Sequence, residues 1–439
     1  MKRLVSTLTA LLAIAMISGC KPKIVAVEIN VQLMYQDAPF AVEGILVSLS
    51  DAAGTATFSG YSDAAGVAKF TVNPGNYMAS STYRVMENDK YVVYNGSNST
   101  ILVGEGIPGN FTLPLSKVSS QPLIIKELYF GGCPKDDGSG AFSDDAYFII
   151  YNNTPFEVDA SDLVIGSLNP YNGHSNNKFY GTDNKLIYES DNWLPAGGSM
   201  WYFTQPVKIP GYSQIVVAVF GAIDHRVTVK ASVNLANPDY YWMSNSDIPA
   251  YTNKKYVVSD LIPTSHYLSG FQINKANAWT LSNNSPAFFI GMMPKAQLEP
   301  LCKNTANFDL TGGNDDRGWS VKFPKANVLG AIEVFKSDKI ETSKLRFSSD
   351  INTGYVVLAN QLGYTIYRNV DKEATEALPE NEGKLVYNYA GGTQDVEGTT
   401  DPSGIDAEAS IAAGAHIVYL QTNDSGKDFH QRKVASLKK

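Results

Sequence analysis

Apolar and polar positions alternate along residues 25–33, Val-Ala-Val-Glu-Ile-Asn-Val-Gln-Leu. That is the period of a strand with one buried face. Residues 44–49 and 61–77 continue in short runs of the same kind, broken at Gly66 and Pro74-Gly75. Residues 122–130 and 146–152 are denser in Ile, Leu, Tyr and Phe, and read as two strands with a pleated, half-buried surface. The Asn152-Asn153-Thr154-Pro155 cluster turns the chain after the second. Further strands are expected at 200–203, 214–219, 227–229, 287–290, 354–358 and 416–420, with turn clusters such as 195–198, 209–211, 283–286 and 312–317 between them. One stretch, 319–335, has mixed spacing that admits a helix after Pro324. Residues 367–414 are acidic and turn-rich, and are expected to form an exposed excursion. Short strands with regular turns make the chain all-β, a small sandwich followed by a larger one.

Length sharpens this into two domains, 24–117 and 122–439, joined by a linker at 116–122. Tyr is abundant at 25 residues and only 18% of residues are charged, a balance that suits an extracytoplasmic β protein. The net charge is −8, with no long Lys/Arg run, so a nucleic-acid partner is excluded.

The N-terminus carries Lys2 and Arg3, then an apolar run from Leu4 to Ile17 too short to span a bilayer comfortably. It ends in Ile17-Ser18-Gly19-Cys20, which resembles the bacterial lipoprotein cleavage site. The resemblance implies removal of residues 1–19 and acylation of Cys20. Acyl chains contribute about 0.8 kcal/mol per buried methylene, so two or more make a stable anchor. The expected partner is therefore a membrane, reached through the lipid. Of the three cysteines this leaves Cys133 and Cys302, expected to pair as a disulfide in an oxidising envelope.

Two families are resembled. Residues 61–77 contain Ser62-Asp63-Ala-Ala-Gly66-Val-Ala-Lys-Phe70, then Pro74-Gly75-Asn-Tyr77. They resemble the prealbumin-like, carboxypeptidase-regulatory modules, an immunoglobulin-like sandwich being the alternative. Asp63 and Gly66 are expected to make a turn and Phe70 to fill the core. In the second domain, 123–128, 145–152 with Val158-Asp159 and Leu163, 194–198, 209–217 and 422–429 resemble the successive pieces of a lamin-tail-type sandwich. Ile150 departs from that pattern, as does a large insertion at 169–285. Signal, module and expanded lamin-tail-like domain together resemble an uncharacterised family of Bacteroidetes envelope lipoproteins. The resemblance implies an outer-membrane address, on the periplasmic or the surface face, and help to a TonB-dependent receptor in nutrient or metal-complex capture.

Candidate chemistry is sparse. His174, His225, His266, His416 and His430 form no His-x-x-x-His pair, and no Cys-x-x-Cys occurs. Asp224-His225-Arg226 lacks a Gly-x-Ser-x-Gly nucleophile to serve, so no enzyme activity is expected. Asp136-Asp137-Gly138-Ser139-Gly140 with Asp144-Asp145 is the candidate for calcium, against a plain solvated turn. Its spacing is not that of an EF-hand. Asp315-Asp316 is a weaker candidate of the same kind. Trp193, Trp201-Tyr202, Tyr240-Tyr241-Trp242 and Trp279 lie in the insertion. Trp201, Tyr241 and Trp242 are the expected ligand contacts on an insertion-borne surface. The expected function is non-enzymatic binding. An adhesin or envelope scaffold and a hydrolase with a dispersed site are the alternatives. A concave aromatic pocket would favour the first, a flat polar face the second, and acids or His converging on a nucleophile the third.

Overall fold

The computed structural model describes residues 25–51, 55–87, 90–243, 255–274, 281–313, 318–393 and 400–438. Cys20, Trp279 and Asp315-Asp316 lie outside them. The chain divides into two compact units at Ser120/Gln121, and both are built of strands.

In the first unit Val27–Tyr35 pairs antiparallel with Val67–Val72 and parallel with Asn110–Pro114. A second sheet runs in the order Thr57–Tyr61, Leu46–Asp51, Gly75–Glu87, Lys90–Val103, Ser116–Ser120. Alternation does the work: Ile29, Val31 and Leu33 from one sheet meet Val47, Leu49, Tyr77 and Ala79 from the other in one core. The Asp63 carboxylate accepts from the N–H groups of Ala65 and Val67, and Phe70 is buried, as the motif implied. Gly66 sits at φ +80°, where a Cβ would stand 2.1 Å from the Phe40 carbonyl oxygen. The expected linker is a strand over most of its length. Ser116–Ser120 pairs with 91–95, because small and β-branched residues suit a sheet edge.

Among the described residues of the second unit, twelve strands follow one another across a continuous sheet. The order is Val356–Leu358, Val328–Lys336, Ala287–Met292, Leu163–Leu168, Trp193–Phe203, Tyr267–Gln272, Tyr241–Met243, Gln214–Ala218, Tyr147–Asn152, Leu123–Tyr129, Thr365–Arg368, Phe429–Arg432. The sheet folds back so that Leu123–Tyr129 packs on Val328–Lys336 and Ala287–Met292. Ile125, Leu128 and Phe148 meet Phe288, Ile290 and Val334 in the main core, with the Phe148 and Phe288 rings 5.0 Å apart.

Four expectations change here. Leu123–Tyr129 and Tyr147–Asn152 are buried on both faces, which explains their unbroken apolar runs. Their outer face is covered by the acidic stretch expected to be an exposed excursion and by the run after it: Val370, Ile405 and Ala407 from the first, and Ile417 and Tyr419 from the second, pack on Ile124 and Tyr151. Residues 319–335 are strand, turn, strand rather than helix. Ser320–Pro324 and Val328–Lys336 flank a single 3₁₀ turn at Lys325–Asn327. The supposed insertion at 169–285 is integral, since it supplies Trp193–Phe203, Gln214–Ala218, Tyr241–Met243 and Tyr267–Gln272.

Candidate functional site

The loop at 180–189 and the segment 345–353 face each other across a pocket of about 400 Å³. Tyr180, Leu186, Leu345 and Phe347 make an apolar wall, and Lys185 and Glu189 bring opposite charges to its rim. Local bonds fix both sides. Gly181 and Lys185 close a tight turn with Asn184 at φ +60°. The Tyr180 hydroxyl donates to the Leu345 carbonyl at 3.0 Å. Lys344 Nζ lies 4.3 Å from the Tyr180 ring centre and donates to Asn184 Oδ1. Glu189 Oε1 accepts from both the N–H and the hydroxyl of Ser349. The walls are thus tied together before any ligand arrives. They offer a ring-sized apolar surface with polar groups at one edge, the usual make-up of a small-molecule site. No sequence motif pointed here, because the two walls lie some 160 positions apart and are joined by backbone-directed bonds.

A second constellation surrounds Lys126. The ladder between Leu123–Tyr129 and Tyr147–Asn152 slips between Ile125 and Glu127, so Lys126 is the extra residue of a β-bulge. Bulges re-aim side chains. Here the lysine, 1% exposed, turns onto the outer face under the covering segment. Its Nζ lies 2.8 Å from Glu408 Oε1 and 2.7 Å from Gln214 Oε1. The rings of Tyr151, Tyr367 and Tyr419 stand 5.6–5.8 Å from it on the remaining sides. Glu408 also accepts from the Tyr367 hydroxyl at 2.6 Å. Burial works to raise the Glu408 carboxyl, but Lys126 and Tyr367 outweigh it and hold it below its ordinary value.

The residues singled out from sequence go elsewhere. Cys133 and Cys302 are free, buried thiols, so the expected disulfide is not formed. Burial pushes the first up to about 11 and the second to about 12, which makes both poor nucleophiles. The four candidate calcium ligands separate. Asp136 accepts from the N–H of Lys230, Asp137 caps its own turn at Ser139, and Asp144 pairs with Lys255 at 3.0 Å. Asp145 is buried, accepting from the hydroxyls of Tyr129 and Ser232, and desolvation raises its pKa. Among the described residues no three His, Cys, Asp or Glu side chains are placed to hold a metal ion. The carboxylates are committed to backbone, hydroxyl and lysine partners.

Trp201 is fully buried, and Trp242 is buried with its indole N–H on the Phe220 carbonyl. They are core, not ligand contacts. Only Tyr241 is half-exposed, and its ring stacks on His266 at 4.4 Å. Asp224 pairs with Arg226, while His225 is buried against Gly221.

With this geometry in view, the chain can be set beside known proteins. A family described as "Protein of unknown function (DUF4876)" matches residues 209–403. The crystal structure of a DUF4876 family protein from Bacteroides thetaiotaomicron VPI-5482 is similar over 93% of this chain and 96% of that one, at 15% identity and a TM-score of 0.55. At that identity the likeness is one of fold. A DUF3823 family protein from Parabacteroides merdae ATCC 43184 matches 34% of this chain and 69% of its own, at 13% identity, but its TM-score of 0.16 carries no structural likeness. No curated protein matches the chain.

Proposed function

We propose that the chain is a lipid-anchored, non-enzymatic envelope protein that binds a small amphipathic ligand. In this reading it serves as an accessory to an outer-membrane receptor in nutrient or metal-complex uptake. The pocket between 180–189 and 345–353 carries the proposal, since its apolar wall and charged rim are held ready by bonds made within the protein. The Ile17-Ser-Gly-Cys20 ending of the apolar leader supports the anchor. The lamin-tail-like and prealbumin-like resemblances suit a scaffold that presents such a site.

The test fills the pocket. Native mass spectrometry of the wild type should show growth-medium metabolites retained, and Leu186→Trp should abolish that retention with the melting temperature kept. In the same cells labelled palmitate should enter wild type and not Cys20→Ala. Equal metabolite retention by Leu186→Trp would end the pocket reading, and equal labelling would end the anchor.

One observation favours the adhesin reading as a second possibility. The outer face of the five-stranded sheet in the first unit presents Ser48, Ser59, Ser80 and Ser97 in a row beside exposed Leu46 and Tyr61.

A further inference from the structure

The Lys126 site holds more than an ion pair requires. A primary amine, a side-chain amide and a carboxylate meet in one place. The amine is shielded from water by three tyrosine rings. Gln214 lies two strands away from Lys126, with Tyr147–Asn152 between them and Tyr151 directly opposite Gln214. The lysine shares the outer face with Ile124, and its long stem meets the Gln214 side chain across the intervening strand. A structural cation would be satisfied by Glu408 and the rings. The amide carbonyl 2.7 Å from Nζ adds an electrophilic carbon within reach of the same nitrogen.

We propose that Lys126 and Gln214 become joined by an intramolecular isopeptide bond, with Glu408 as the proton carrier. The ion pair is the major form; in its minor neutral form the Glu408 carboxylate has taken a proton from the Lys126 ammonium, leaving a neutral amine beside the amide. The amine nitrogen adds to Cδ of Gln214. Glu408 returns its proton to Nε2 as the Cδ–Nε2 bond breaks, and takes one of the two protons on the new amide nitrogen, which keeps the other. The departing ammonia then collects that proton and leaves as ammonium. One C–N bond forms and one breaks, nothing is oxidised or reduced, and Glu408 ends as it began. Gln214 is itself exposed, so the leaving group has a way out to solvent. Two side chains fixed in contact replace a bimolecular encounter, and effective molarities on the order of 10⁵–10⁸ M are what make an unactivated amide reachable in a single turnover. The product ties Leu123–Tyr129 covalently to Gln214–Ala218 across the strand between them.

Intact mass decides it. The wild-type protein should be lighter than its sequence by one ammonia, wholly or in part. Gln214→Ala should have its full sequence mass, as should Glu408→Gln. Comparing the variants with wild type cancels any lipid on the chain. Trypsin should release from wild type a branched peptide containing both Lys126 and Gln214. Succinimide formation at Asn95-Gly96 or Asn172-Gly173 would lose the same mass, but it would persist in Gln214→Ala. Wild type at its full sequence mass, a deficit unchanged by Gln214→Ala, or no branched peptide, overturns the proposal. Gln214 lies at the surface, so its alanine variant is expected to fold and the comparison stands even where Lys126 variants do not.

Discussion

At the scale of single residues, the second unit holds two buried arginines with several partners each. Arg346 and Glu333 are both inaccessible, and the guanidinium donates to Glu333, to the Pro170 carbonyl and to the Ser285 carbonyl. Arg368 donates to the carbonyls of Ile125 and Leu420 and to Asp428, and lies 4.1 Å from the Phe429 ring centre. Asp428 in turn accepts from the N–H and hydroxyl of Thr422. That gives the closing 422–429 motif a physical reading: it is the acceptor shell of a buried arginine. His430, next but one to Asp428, is a neutral counterpart. Its ring sits between Asn369 and the Tyr389 hydroxyl, and burial lowers its pKa from 6.5 to about 3. The folded state therefore resists protonation that the unfolded chain accepts. This contribution is fully present above pH 6.5 and is lost as pH falls towards about 3. Its slope has a ceiling of about 1.4 kcal/mol per pH unit. Buried Glu127, Asp145 and Glu333, with raised pKa values, slope the other way. His430→Gln isolates the histidine. Urea unfolding from pH 6.5 to 4 should fall less steeply in the variant than in wild type, and parallel curves would refute the assignment.

At the scale of elements, the covering segment is what sequence reading misjudged. Its strands and helices are short and its apolar residues scattered, so no period marks it. Yet Ile405, Ile417 and Tyr419 each find the outer face of Leu123–Tyr129 and Tyr147–Asn152. The strands themselves were legible, because a run such as Tyr-Phe-Ile-Ile-Tyr needs no partner to be recognised. What covered their outer face was not, since it comes from residues more than 200 positions away. The aromatic pairs misled for the same reason. Trp201 and Trp242 look like an exposed set until the sheet that buries them is known. The Asp-rich loop misled because spacing alone does not say which carboxylates are already taken. One residue joins cover to sheet. Asn153 donates to the Tyr419 carbonyl at 2.9 Å and accepts from its N–H at 2.8 Å, acting as a one-residue strand. Asn153→Ala strands two buried backbone groups and should cost about 2–4 kcal/mol. Amides near Tyr419 should then exchange first in deuterium, ahead of the main core. Uniform loss of protection would show that the cover is not a separate layer.

At the scale of the whole molecule, each unit builds its sheets from its own strands and has its own core. Independent cores predict independent unfolding. Gly66 offers a clean lever, because its turn belongs to the first unit alone and was identifiable from the Ser62-Asp63-Ala-Ala-Gly66 spacing. At φ +80° an alanine costs roughly 1–3 kcal/mol in backbone strain, before the contact with the Phe40 carbonyl is counted. For a domain of this size each kcal/mol lowers the midpoint by roughly 4–8 °C. In calorimetry of the full chain, Gly66→Ala should therefore move one transition down and leave the other where it was. The unmoved transition should follow the isopeptide bond instead. Gln214→Ala removes a staple from the second unit, and its loss should lower that transition alone. If both transitions shift together with either substitution, the two units unfold as one and the division at Ser120/Gln121 has no energetic meaning.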